Sequence, residues 1–317
     1  MEWLRTPIMS RPTDHVCPVA WAEAHGLLDD SPMERSWCLS SYRDILVSPR
    51  TPAALSPRLK LMDRGEIRVS YAPVDWVNRA AQVVLVGITP GYHQATQAIA
   101  EARRCLGAGL SNNTSLRCAN KVAAFSGPMR RNLVSMLDGI GLHDGLDLDT
   151  TEHLFTCQHR LVACVSAISY PVFFRGQNYT GHRPPLIRHP LLRSLVVASL
   201  GAQLGMVRDA LIIPLGRAAQ DAVELLIALD LLEEDRCLLG FPHPSPAHGG
   251  RLAQYRRNRR RLASEVKTWF SWADPRSSRD RHAQPSERRT PRAGRRDHAL
   301  PDLGRVPGGR RVPARLL

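Results

Sequence analysis

Gln82-Val83-Val84-Leu85-Val86-Gly87-Ile88-Thr89-Pro90-Gly91-Tyr92-His93-Gln94 decides how the rest of the chain is read. The apolar run 83–86 is rich in β-branched residues and too short for a helix. It reads as a strand buried on both faces, the kind found in a parallel sheet. Gly87 and Gly91 then bracket Pro90, which ends the strand and turns the backbone tightly. A helical pattern follows over 94–106. A strand, a tight loop and a helix in this order put loop backbone at the carboxyl end of a sheet, where α/β proteins bind ligands.

A second stretch has the same layout. Phe241-Pro242-His243-Pro244-Ser245-Pro246-Ala247-His248-Gly249-Gly250-Arg251 follows a short apolar run, 237–240, and leads into a helix over 251–270. Between the two stretches the pattern alternates. Strands are expected at 159–168 and 210–214, and helices at 129–140, 191–204 and 216–231. Asn112-Asn113-Thr114 reads as a break. Residues 169–190 read as a long polar loop, and a loop of that length inside a compact domain is usually functional. Before the first stretch, 33–46 reads as a helix and 66–71 as a strand. The alternation predicts a parallel sheet with helices on both faces, and it brings the two loops together at the carboxyl ends of the first and last strands.

The chain has 317 residues, enough for a full core. We expect an N-terminal extension, 1–75, packed on that core, an α/β domain over 76–272, and a disordered Arg-rich tail over 273–317. The tail holds 12 Arg against 5 acids and shows no periodicity. No apolar run approaches the length of a membrane span, and the N-terminus lacks an apolar signal segment, so no membrane partner is expected. Seven cysteines without a C-x-x-C pair suggest a reducing cytoplasm and buried apolar roles; neither a metal nor a cofactor is expected. The formal charge of +14 points toward a polyanion such as DNA, because basic residues displace counterions from phosphates. Lysines number only three, Lys60, Lys121 and Lys267, and the Arg skew by itself also fits a GC-rich genome.

In the helix after the second stretch, Leu252, Tyr255, Leu262, Val266 and Trp269 share one face by helical spacing. Arginines 256, 257, 259, 260 and 261 cover the remainder. A solvated charged face is the ordinary reading of such a helix. Its place directly after the second loop favours phosphate contact by Arg251, Arg256 and Arg259.

Taken together, the two loops resemble the motifs of the uracil-DNA glycosylase superfamily. The first motif there is a Gly-containing loop with a Pro, and the second is His-Pro-Ser-Pro followed by a segment that wedges into DNA. The 156 positions between Gly87 and His243 suit that order, and the resemblance covers roughly 72–269. It implies a three-layer α/β/α sandwich around a four-stranded parallel sheet. It also implies a monomeric, DNA-binding enzyme that flips a base out of the stack and hydrolyses its N-glycosidic bond. His243 then takes the place of the donor to the base anion. Phe125 takes the place of the aromatic that stacks on the base, worth roughly 1–3 kcal/mol. Ser166 falls near the base-reading Asn, but a hydroxyl rotates between donor and acceptor where an amide is fixed. Gly87, Ile88, Gly91 and Tyr92 complete the base site, and Ser245 and His248 fall in the DNA-contacting loop. Ser245 also suits a local turn bond.

Two departures from that pattern bear on mechanism. Thr89 stands where active relatives carry Asp or Asn for water, and Thr lacks a basic group. Asp75, Asp138 and Asp144 are the candidate substitutes. Gly91 stands where uracil-specific relatives carry a Tyr against C5 of the ring. That implies room for a C5 substituent, and extends to heavily modified cytosines in phage DNA. Two other readings stay open: a noncatalytic DNA-binding module on the same fold, and a nucleotide-binding α/β enzyme unrelated to DNA.

Overall fold

A computed structural model of the protein describes residues 37–48, 53–54 and 56–273. It is a mixed α/β fold with two sheets. The strands are β1 (Lys60–Arg64), β2 (Ile67–Ser70), β3 (Val83–Gly87), β4 (Val162–Ser166), β5 (Val172–Phe174), β6 (Gln177–Asn178) and β7 (Leu211–Pro214). The helices are α1 (Leu39–Val47), α2 (Tyr92–Gly107), α3 (Asn112–Ala123), α4 (Pro128–Asp138), α5 (Leu142–Gly145), α6 (Pro190–Gly205), α7 (Arg217–Ala228) and α8 (Arg251–Ala273).

β3 is the middle of a parallel sheet ordered β4-β3-β7, with Gly87 opposite Ser166 and Val86 opposite Pro214. All five residues of β3 are buried, as expected for a strand covered on both faces. The period-2 alternation of strand side chains sorts them into two cores. Val84 and Val86 join the apolar faces of α1, α2, α3, α6 and α7. Val83 and Leu85 join those of α4, α5 and α8. Each fully buried Val or Leu contributes about 1.5–3 kcal/mol, so the alternation pins the register firmly.

The expected fourth parallel strand at 237–240 is reduced to a single bridge, Ile212 to Cys237, with Leu238 N–H donating to Ile212 O at 2.8 Å. Its continuation is lost because Gly240 takes φ +91 and the chain turns away into the second loop. Asn112-Asn113-Thr114 is no break but the start of α3, capped by Ser111 Oγ, which accepts from Thr114 N–H at 3.2 Å.

The polar segment 169–190 is also more ordered than its composition implied. β5 and β6 form a hairpin within it, and β5 pairs antiparallel with β2, giving a second sheet, β1-β2-β5-β6. The described part of the N-terminal extension packs on the core through Trp37, Leu39, Tyr42, Leu46 and Tyr71. Residues 1–36 and 274–317 lie outside the described residues, and with them the tail. No helix among the described residues is long and apolar enough to cross a membrane.

Candidate active site at the carboxyl edge of the parallel sheet

The carboxyl ends of β3, β4 and β7 carry the loops that hold most of the expected site residues. Gly87 ends β3, and a Cβ built on it would lie 3.5 Å from Phe125 Cε1 and 3.6 Å from Ser166 Oγ. Three expected base-site residues therefore converge. Phe125 is buried and takes φ +47, a left-handed backbone that a non-glycine residue adopts only under strain. Phe125, Ser166, Pro90, Gln94, Asn120 and Ser169 are among the walls of a cavity of about 40 Å³. That space suits a few waters and is too small for a nucleobase.

Thr89 does not face that cavity. Its Oγ1 donates to Tyr170 O at 2.7 Å and accepts from Val172 N–H at 3.1 Å. The hydroxyl latches the 169–190 segment onto the first loop, and it is not placed as a water activator. Gly91 and Tyr92 also meet this segment. Tyr92 N–H donates to Asn178 Oδ1 at 2.8 Å, while the Tyr92 ring is exposed. A Cβ on Gly91 would meet the Asn178 amide at 3.5–3.8 Å, so Asn178 fills space that the sequence left open. Gly91 has φ −79, which any residue adopts, so its backbone does not require glycine. Gln94 Oε1 accepts from Gly91 N–H at 3.0 Å and closes the start of α2. Ile88 packs at the edge of the first core, against the loop at Gly181. Gly181 itself is pressed onto Ala218 at the start of α7, with φ +86.

His243 sits one strand over, at the end of β7. Ser245 N–H donates to its Nδ1 at 3.2 Å. Nδ1 is thus the unprotonated nitrogen, and Nε2 carries the proton, with no partner among the described residues. Burial holds the imidazole neutral, pushing its pKa down to about 4, and the nearby His248 and His182 add to this. The loop around it is tightly fixed. Asn132 Nδ2 donates to Pro244 O at 2.9 Å, Arg251 Nη1 to Ser245 O at 2.6 Å, and Gly216 N–H to Phe241 O at 2.9 Å.

Several of the expected DNA-contacting residues also make bonds within the protein. Ser245 Oγ accepts from Ala247 N–H at 3.2 Å, which is the local turn bond. Arg251 holds its own loop, and Arg259 Nε donates to Gly139 O at 2.7 Å. His248 Nε2 lies 3.5 Å from Gln254 Oε1. Arg256 is exposed. Leu252, expected on the buried face of α8, is 53% exposed. Of the candidate substitutes for Thr89, Asp138 is fully engaged, Asp144 is largely exposed, and Asp75 keeps one buried oxygen without a partner among the described residues. Asp138 accepts from Thr150 Oγ1, Thr151 N–H and Thr151 Oγ1, and Asp144 pairs with His143 on the second-core side. Asp75 is buried beside Tyr170 OH, and burial raises its pKa to about 7.

Gly216, Asn132, Gln94, Asn178 and Asn120 shape the site without having been singled out in the sequence. Only Gly216 carried a signal, as a glycine directly after an apolar run. Glu101, Cys105 and Cys118 bring three ligand atoms within 4.8 Å of one another. Glu101 is already held at two points by Arg104, and burial pushes the Cys105 thiol up to about 11, so the group is poorly disposed to a cation.

No family model matches the chain. A comparison with curated proteins finds the uncharacterized protein YoxB of Bacillus subtilis (strain 168). The two are 36% identical over 225 residues, which span 69% of this chain and 87% of YoxB.

Proposed function

The chain belongs to the same family as YoxB of Bacillus subtilis, and we propose that it is a monofunctional DNA glycosylase of the uracil-DNA glycosylase superfamily. Its parallel sheet, covered by helices on both faces, is read as that superfamily's α/β/α sandwich, with the bridge at Cys237 standing for the fourth strand. The substrate proposed is a C5-substituted or damaged pyrimidine in DNA, including the modified cytosines of phage DNA.

The observation that supports this most is the fixed tautomer of His243. A neutral imidazole with its N–H on Nε2 is a preorganised donor for the oxygen of a departing pyrimidine anion. In the proposed reaction the bond from C1′ to the base nitrogen breaks and its electron pair leaves with the base. His243 Nε2–H stabilises the resulting anion. Water adds to C1′ and its proton passes to solvent, leaving an abasic site. No side chain is assigned to activate that water. The cavity beside Phe125 must widen to take the base, and the strained backbone at Phe125 marks that wall as the one to move. No lysine lies in either loop, so a Schiff-base route has no nucleophile in them.

A noncatalytic DNA-binding module is the second reading, and the engagement of Thr89 with backbone supports it. Abasic-site formation on duplex and single-stranded DNAs carrying uracil, 5-hydroxymethylcytosine and glucosylated cytosine separates the two. The glycosylase reading expects base release by the wild type and its loss in His243→Ala with DNA affinity retained. Release should not fall on the acid side until pH approaches about 4, where the imidazole charges. No release from any substrate, or equal release by His243→Ala, would overturn it.

A further inference from the structure

A second and larger cavity, of about 440 Å³, lies next to the first and shares Asn120, Ala124 and Cys164 with it. Its volume falls in the range of small-molecule sites. Trp76, Leu154 and Phe155 form apolar walls, with Val162 of β4 beside them. Arg117 and Lys121 of α3 and Arg160 stand at its mouth, all three exposed. No carboxylate is among its walls.

Exposed arginines without an acid partner occur elsewhere among the described residues, Arg193 and Arg208 for instance, but here three cations stand over one concavity. Arg68, Arg104, Arg175, Arg217 and Arg261 each pair with an acid within 2.8 Å. Arg117, Lys121 and Arg160 pair with none among the described residues. Three like charges over one concavity raise one another's energy and attract an anion.

One polar atom of the lining residues is also buried and unfilled. His159 Nε2 is buried without a hydrogen-bond partner. Asn120 is buried, and its Nδ2 donates to Val74 O at 2.9 Å and Cys164 O at 3.4 Å. That fixes the amide and leaves Oδ1 as an acceptor. A buried polar atom without a partner, such as His159 Nε2, is stabilised by a ligand group that reaches it. Asn78 is no such handle. Its amide is fully used on the carbonyls of His159, Arg160 and Val162 and on Ala80 N–H, and it holds the cavity's rim in shape.

We propose that this cavity binds a nucleotide, with its flat ring between Trp76, Leu154 and Phe155, its ring N–H or amino group at Asn120 Oδ1, and its phosphate at Arg117, Lys121 and Arg160. The ring and the phosphate are shared by a free mononucleotide and by one nucleotide of a strand. The inference concerns binding; it shares Asn120 with the cavity beside Phe125, whereas Arg117, Lys121 and Arg160 belong to this cavity alone.

The test is calorimetric titration of the full chain with dCMP and dAMP, with the matching nucleosides, and with a 5′-phosphorylated single-stranded trinucleotide. The same titrations are run on Arg117→Ala/Lys121→Ala, and on Arg193→Ala/Arg208→Ala as an exposed control outside the cavity. Mononucleotides are expected to bind and nucleosides to bind at least about tenfold more weakly, as is the Arg117/Lys121 variant, while the control is unchanged. If the trinucleotide binds more tightly than the mononucleotide and weakens equally in the variant, the natural ligand is part of a strand. If only mononucleotide binding weakens, it is free nucleotide. No mononucleotide binding at millimolar concentration, or equal binding by wild type and the Arg117/Lys121 variant, would overturn the proposal.

Discussion

A Cβ placed on Gly216 would lie 2.6 Å from the Cβ of His243 and 3.2 Å from its backbone nitrogen. The glycine lies two residues past β7, at the N-cap of α7, with φ +86, and the second loop crosses directly over it. His243 therefore owes its position to a missing side chain at the start of α7. Gly216→Ala combines a collision with a strained φ and should destabilise the fold by about 2 kcal/mol or more. Thermal unfolding measures this. The loss of base release in the folded fraction should approach that of His243→Ala. A variant with wild-type stability and rate would show that the loop has room to shift.

Thr89 offers a clean separation of structural from chemical roles. Thr89→Val keeps the shape and removes both hydrogen bonds, leaving Tyr170 O and Val172 N–H without this partner. Each such loss costs about 1–3 kcal/mol where the group is buried. We expect lower stability and faster proteolysis within 169–190, with the single-turnover rate on saturating DNA within about tenfold of wild type. A loss of a hundredfold or more at unchanged stability would instead make Thr89 a positioner of water.

Gly91→Tyr tests the substrate argument. Because φ is −79, the substitution carries no backbone penalty, and the new Cβ meets the Asn178 amide at ordinary contact distance. The folded variant should lose release of a C5-substituted cytosine while keeping release of uracil. Equal losses on both would mean that the position does not face C5.

Asp75 predicts a pH dependence of stability. Its pKa rises from 3.8 unfolded to about 7 folded, chiefly through burial. Between these values the folded state holds more protons, so this group's contribution to stability falls as pH rises from about 4 to about 7 and is level above that. Asp75→Asn removes the titration. Its melting temperature relative to wild type should climb across that window, by an amount corresponding to a few kcal/mol. A constant difference from pH 4 to pH 8 would place the perturbed group elsewhere.

The fold was legible where side-chain pattern alone decides it. The β-branched run in β3, the glycines and proline after it, and the apolar spacing of α4, α6 and α7 each report a local preference that burial then reinforces. The order of the two loops along the chain, and their place at the carboxyl edge of the sheet, followed from that alternation. What each polar side chain does was decided only by the tertiary structure. Thr89 meets the carbonyl of Tyr170 from 81 positions away, Asn132 meets Pro244 across 112, and Arg259 meets Gly139 across 120. A hydroxyl, amide or guanidinium bonds whatever donor or acceptor the packing brings within about 3 Å, and its spacing along the chain carries no record of that partner. The cavity beneath Arg117 and Lys121 was unreadable for the same reason, since its walls come from segments that meet only when the sheet is packed.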